Sequence, residues 1–171
     1  MNTRGFTLVE LMVTLSVAAI LLTVAVPGFL SLRVNNALTT QANECIAGIQ
    51  LARSEALRRN ERVRFCRVDS DTATDCAGSR GNWTHWAVVT PDEVVRRGRV
   101  DTLSGRITVT SDLDEDTLTL GPDGLARSGS GLATGHYIEI AADGGTADPV
   151  RCLRLGAGSR ASVERQEGGC S

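Results

Sequence analysis

Between Phe6 and Phe29 the chain carries a single ionisable side chain, Glu10. As a helix those 24 residues rise ~36 Å, enough to cross a hydrocarbon core of ~30 Å. The segment is therefore expected to span a membrane. A cleavable secretory signal has a shorter apolar region followed by small residues, whereas here only Met1 to Gly5 precede the apolar run, with Arg4 their sole charge. That positive charge keeps the N-terminus cytoplasmic and places the C-terminal bulk outside.

Glu10 is out of character for such a segment. An ionised carboxylate near the centre of a membrane helix costs roughly 2.5–3.5 kcal/mol, less near an end, so it needs a partner. The uncut segment offers none. Cleavage between Gly5 and Phe6 would create an α-amino group with a pKa near ~8 at Phe6, four residues from Glu10 and on the same helical face. The carboxylate then has an amine to meet, its own or a neighbour's. Pairing between neighbours would turn the charge into a registration device for helices leaving lipid for a bundle.

The stretch Gly5-Phe6-Thr7-Leu8-Val9-Glu10-Leu11 resembles the cleavage and methylation motif of type IV pilins and of the pseudopilins of type II secretion. The resemblance implies a prepilin peptidase cutting after Gly5, methylation of the Phe6 amine, and Glu10 as the assembly residue.

With 171 residues and 42% apolar content, the chain supports one globular domain of about 140 residues beyond the membrane helix. All 18 basic residues are Arg, against 20 acidic ones, and loss of Arg4 with the leader leaves 17 against 20, a net charge of −3 with His neutral. Such a balance does not favour nucleic acid.

Beyond Pro27 and Gly28, which can kink a helix as it leaves the bilayer, Val34, Leu38, Gln41, Cys45, Ile49, Ala52 and Ala56 recur at spacings of three and four. This stripe, polar only at Gln41, predicts that the helix continues in amphipathic form to Asn60 and packs on a sheet. From Arg62 the period becomes two. Arg62–Val68, Trp83–Val89, Arg106–Val109, Thr117–Leu120, Tyr137–Ile140 and Val150–Leu155 read as antiparallel strands, with a turn at Gly121-Pro122-Asp123-Gly124 and a Gly-rich surface loop over 128–135.

The expected fold is α+β and type IV pilin-like, with a long N-terminal helix whose first half is transmembrane, packed on a C-terminal antiparallel β domain. The expected divisions are a leader over 1–5, a transmembrane half over 6–29, an amphipathic half over 30–60 and the β domain over 61–171. Here the resemblance narrows to the FimT/FimU/GspH branch of minor pilins. It is carried by Leu51-Ala52-Arg53-Ser54-Glu55-Ala56-Leu57-Arg58-Arg59, Cys66, Trp83 to Trp86, and Arg151-Cys152-Leu153-Arg154.

Cys66, Cys76, Cys152 and Cys170 fall in the part placed in an oxidising compartment, where such sets become disulfides. Pairing Cys66 with Cys76 and Cys152 with Cys170 closes two short loops, each stabilising by about 3 kcal/mol in the chain-entropy model. Two other connectivities remain open. Zinc is disfavoured because no CxxC pair occurs and His85 and His136 lack ligand spacing. Cys45 lies on the buried stripe as a small core residue.

No catalytic pattern is present: there is no G-x-S-x-G and no metal-type His spacing. Gly156-Ala157-Gly158-Ser159-Arg160-Ala161 formally matches a dinucleotide fingerprint, but the residues after Ala161 are too few and too Gly-rich for the required helix. Asp112, Asp114, Asp116 and Asp123 fall on calcium-loop positions, yet Thr117 stands where the sharp turn demands Gly. No cofactor or metal is expected, and the chain is read as a structural protein rather than an enzyme.

The expected function is that of a minor pilin that helps to prime or cap a type IV filament within a minor-pilin tip complex. The alternative in the same family is an H-type pseudopilin of type II secretion. A further alternative is DNA capture, since some FimT-type pilins bind DNA through a C-terminal Gly-Arg-x-Arg motif. The corresponding stretch here, Gly158-Ser159-Arg160-Ala161, lacks both motif arginines at their places, leaving Arg154, Arg160 and Arg165 as a candidate phosphate patch among Glu164 and Glu167. Expected partners are other minor and major pilins or pseudopilins, the prepilin peptidase, the inner-membrane assembly platform and, before assembly, membrane lipid. The chain is expected in the inner membrane, single-pass with its domain in the periplasm, and then in a filament at the cell surface or in the periplasm.

Overall fold

The computed structural model describes residues 7–144 and 146–170. One helix, α1, runs from Leu8 to Arg59, and its 52 residues extend about 78 Å. It begins at Thr7, whose hydroxyl accepts the Glu10 amide, and ends at Asn60 in the left-handed conformation (φ 56°). Asn tolerates that geometry better than most residues, and the Glu61 amide closes the end on the Ala56 carbonyl at 3.3 Å. The helix is continuous through Pro27 and Gly28.

The two halves of α1 live in different surroundings. From Leu8 to Leu32 the large apolar side chains among the described residues are exposed, whereas Val34, Leu38, Gln41, Ala42, Cys45, Ile49, Ala52 and Ala56 are buried. The switch from an all-round apolar surface to a stripe is what the sequence pattern predicts for a helix that leaves one solvent and enters a core.

The strands are β1 (Val63–Val68), β2 (His85–Val89), β3 (Val94–Arg99), β4 (Ile107–Ser111), β5 (Thr117–Leu120), β6 (Ala126–Ser128), β7 (Gly131–Leu132), β8 (Tyr137–Ala142), β9 (Val150–Leu155) and β10 (Ala161–Gln166). They form two antiparallel sheets, one in the order β3-β2-β1-β5-β6-β7 and one in the order β10-β9-β8-β4. The stripe of α1 packs with Phe65, Trp83, Trp86, Leu118, Ile138, Ile140 and Leu153 in one continuous core. Two glycines allow large aromatics to enter it. A Cβ at Gly48 would lie 2.5 Å from the Phe65 ring, and one at Gly98 would overlap the Trp86 indole outright. Gly98 is the cross-strand partner of Trp86, so the ring lies over a bare backbone.

Four strands differ from the sequence expectation. That expectation lacks β3 and β10, and it treats 128–135 as loop where the short β7 forms, preceded by β6. β3 reads Val-Val-Arg-Arg-Gly-Arg and β10 is exposed along Ser162–Arg165. Both are sheet edges, where neither face is buried deeply enough to impose an alternating pattern. Trp83 and Thr84 also stand outside β2; the Trp83 amide bonds instead to the Val109 carbonyl of β4 at 2.8 Å. The turn at Gly121–Gly124 is present, with Gly124 at φ 72° and its amide on the Gly121 carbonyl at 2.9 Å.

Candidate assembly site

Glu10 occupies the third position of α1 and is exposed. Its amide is 3.3 Å from the Thr7 hydroxyl, and the Leu11 amide is 3.2 Å from the Thr7 carbonyl. Thr7 and Glu10 thus have the spacing of a capping box, and a carboxylate in the first turn is favoured by the helix dipole by about 0.3–1 kcal/mol. This second reason for an acid at position 10 is written in the sequence as Thr-x-x-Glu, and treating Glu10 only as a charge in need of a counter-charge leaves it out. Gly5 and Phe6, the expected processing residues, lie outside the described residues.

Three hydroxyls of the apolar half close on its own backbone. Thr14 donates to the Leu11 carbonyl at 2.9 Å, Ser16 to Met12 at 2.8 Å and Thr23 to Ile20 at 2.6 Å. Hydroxyls closed on their own backbone are compatible with lipid, where an unsatisfied donor is expensive.

The far end of α1 is tied to the domain by charge. Glu55 sits between Arg58 and Arg59, and Arg59 also reaches Glu93 of the β2–β3 turn at 2.6 Å. Hydrogen bonds from the Arg58 guanidinium and then the Arg59 guanidinium hold the Glu55 carboxyl down to about 2. On its buried face Cys45 is a free cysteine, and desolvation, with Glu44 nearby, pushes its thiol up to about 12.

Two disulfides are formed, Cys66–Cys76 and Cys152–Cys170. The first staples the long β1–β2 excursion, whose return is fixed by the buried Asp116. That carboxylate accepts the Gly81 amide at 2.7 Å and the Ser111 hydroxyl at 2.6 Å. The second holds the C-terminal tail on β9, while the Cys170 amide donates to Glu139 at 2.7 Å.

The candidate phosphate patch is divided. Arg154 is committed to Glu164 at 3.1 Å and to the Cys170 carbonyl at 3.0 Å. Arg160 follows the turn over Ala157–Ser159 and is exposed, while Arg165 lies opposite Arg151 in the β9–β10 ladder. The formal dinucleotide fingerprint makes this turn and then strand β10, with no helix.

Three of the four aspartates of the formal calcium loop are engaged with separate partners. Asp112 accepts the Tyr137 amide at 2.7 Å and lies 3.1 Å from His136, Asp123 pairs with Arg127, and Asp116 is used as above. His136 is thus beside a carboxylate, a contact that the spacing does not reveal. Among the described residues, no three His, Cys, Asp or Glu side chains are grouped to hold a metal.

A half-exposed, half-embedded helix carrying antiparallel sheets defines the type IV pilin class of fold. Two solved crystal forms of the type IV minor pilin FimU from Pseudomonas aeruginosa share it. One superposes with a TM-score of 0.54 at 19% identity, covering 74% of this chain and 92% of that one. The other gives 0.57 at 18%, covering 76% and 90%. The family model of the type II transport protein GspH matches residues 41–159, and the prokaryotic N-terminal methylation motif matches residues 1–26. The chain belongs to the GspH family. No curated protein matches it significantly.

Proposed function

We propose that this chain is a minor pilin, a low-abundance subunit that helps to prime or cap a type IV filament. The observation that carries this reading is the division of α1: an apolar half with Glu10 in its first turn, its described large apolar side chains exposed, continues into a half whose stripe is buried under the β domain. An exposed apolar helix of that length must be covered by lipid or by other helices. The prepilin peptidase removes the leader after Gly5 and the Phe6 amine is methylated. The apolar half is held in the inner membrane, then withdrawn into a bundle of like helices, where Glu10 meets a methylated amine. The domain, locked by Cys66–Cys76 and Cys152–Cys170, stays outside as a docking surface for neighbouring pilins.

Service as an H-type pseudopilin in protein export uses the same parts, and partner identity separates the two. Cross-linking of the full chain in its native membranes followed by mass spectrometry is expected to recover major and minor pilins. Recovery of secretion pseudopilins without pilins would move the chain to the export machine.

A further inference from the structure

Between Glu10 and Arg33 no side chain is charged, and that 22-residue interval rises ~33 Å, close to the thickness of a bilayer core. Arg33 is thus the first charge to emerge on the domain side. At that level a cleft of about 240 Å³ opens between α1 and the β3–β4 loop, lined by Leu30, Arg33, Val34, Leu103, Ser104 and Arg106. The loop is held in an unusual form, with Leu103, Ser104 and Gly105 all left-handed at φ 44°, 60° and 87°.

Both arginines are exposed, and among the described residues neither guanidinium makes an ion pair or a hydrogen bond. Arg59, Arg64, Arg67, Arg127 and Arg154 are paired with carboxylates, whereas among the described residues Arg53, Arg62, Arg99, Arg160 and Arg165 are unpaired like Arg33 and Arg106. The nearby Asp101 is turned towards its own loop, accepting the Leu103 amide at 3.0 Å. Asp143 meets Arg106 through the backbone, its amide donating to the Arg106 carbonyl at 2.8 Å.

We propose that this cleft seats the headgroup of an anionic phospholipid from the leaflet through which α1 emerges. Arg33 and Arg106 grip the phosphodiester, and Leu30 and Leu103 border the start of an acyl chain. Guanidinium groups match phosphate oxygens in geometry, and an arginine at the end of a membrane helix extends naturally to the headgroup layer. The inference rests on the membrane-spanning reading of α1. Its consequence is that the domain is oriented on the membrane before assembly and must exchange phosphate for another environment on extraction.

The test uses the full chain in nanodiscs of phosphatidylcholine with and without phosphatidylglycerol. Native mass spectrometry reads the lipid retained, and a spin label at Leu21→Cys in a Cys45→Ala background reads the depth of the helix. Selective retention of phosphatidylglycerol, falling roughly 30-fold in the Arg33→Gln/Arg106→Gln double variant, is the expected result, each arginine near an anionic surface contributing several-fold. Equal retention by both proteins with the label at the bilayer centre overturns the lipid site and leaves the span intact. A label exposed to water overturns both. Equal lipid retention combined with loss of binding to purified partner pilins in the double variant also overturns the proposal and assigns the cleft to protein contact.

Discussion

Gly48 and Phe65 are in contact where helix meets sheet: the ring edge stands 2.5 Å from where a Cβ at position 48 would be. The ring also packs against Trp83 and Trp86, with centroids 5.7 and 5.3 Å away, so it has little room to withdraw. Glycine inside a helix ordinarily costs up to ~1 kcal/mol relative to alanine. Here the close approach outweighs that cost. Gly48→Ala is expected to destabilise by up to about 2 kcal/mol, the overpacking penalty of about 1–3 kcal/mol less the helix gain. Thermal unfolding of the full chain in detergent checks this, and a raised Tm would refute the packing argument.

The Glu55 cluster makes an acid-sensitive clamp. Its carboxyl is held down to about 2 in the fold, whereas in the unfolded chain it titrates near the ordinary ~4.3. A depressed acid stabilises above its unfolded value, and the contribution disappears as pH falls through the folded one. Glu55→Gln should therefore lower Tm at neutral pH, and the gap from the parent chain should close between pH ~5 and ~2. Tm curves that stay parallel through that range would show that the clamp contributes nothing.

The disulfides span 10 and 18 residues. In the chain-entropy model each stabilises by about 3 kcal/mol, so Cys66→Ala/Cys76→Ala and Cys152→Ala/Cys170→Ala should each lower stability by roughly that amount. Denaturant unfolding measures it. In the native parent chain Cys45 should resist thiol reagents, because it is buried and its thiol is pushed up to about 12; rapid labelling before unfolding would contradict that placement.

DNA capture is not favoured by the C-terminal geometry. Arg154 is paired with Glu164, and the exposed Glu164 and Glu167 flank what remains. The full chain in detergent should give no salt-sensitive shift of duplex DNA. A shift that weakens with salt and disappears in Arg160→Ala/Arg165→Ala would restore the DNA reading, each phosphate contact steepening the salt dependence by roughly one unit.

How much of the fold is legible in the sequence depends on where one face of an element is buried. Val34, Leu38, Cys45, Ile49, Ala52 and Ala56 all face the core, and burial on one side produces the period that reveals the helix. β5 and β8 show the same logic at period two. β3 and β10 carry no such imprint, because Arg96, Arg97, Glu164 and Arg165 are exposed at sheet edges. Of the assembly site, Glu10 is conspicuous by its charge, and the Thr7 cap is readable from spacing. The Arg59–Glu93 tie and the Arg33–Arg106 cleft are not, since each brings together residues far apart in sequence whose proximity depends on the finished fold.

The central claim is that the chain works as a filament subunit through the apolar half of α1 and its one carboxylate. The most direct measurement is incorporation of Glu10→Ala into sheared filaments, alongside membrane levels and disulfide formation of the same variant. The expected result is a stable, disulfide-bonded protein retained in the membrane and absent from filaments, because the domain is built without Glu10 while registration between helices is not. Incorporation at the parent level would contradict the claim and leave Glu10 with only its place in the helix cap.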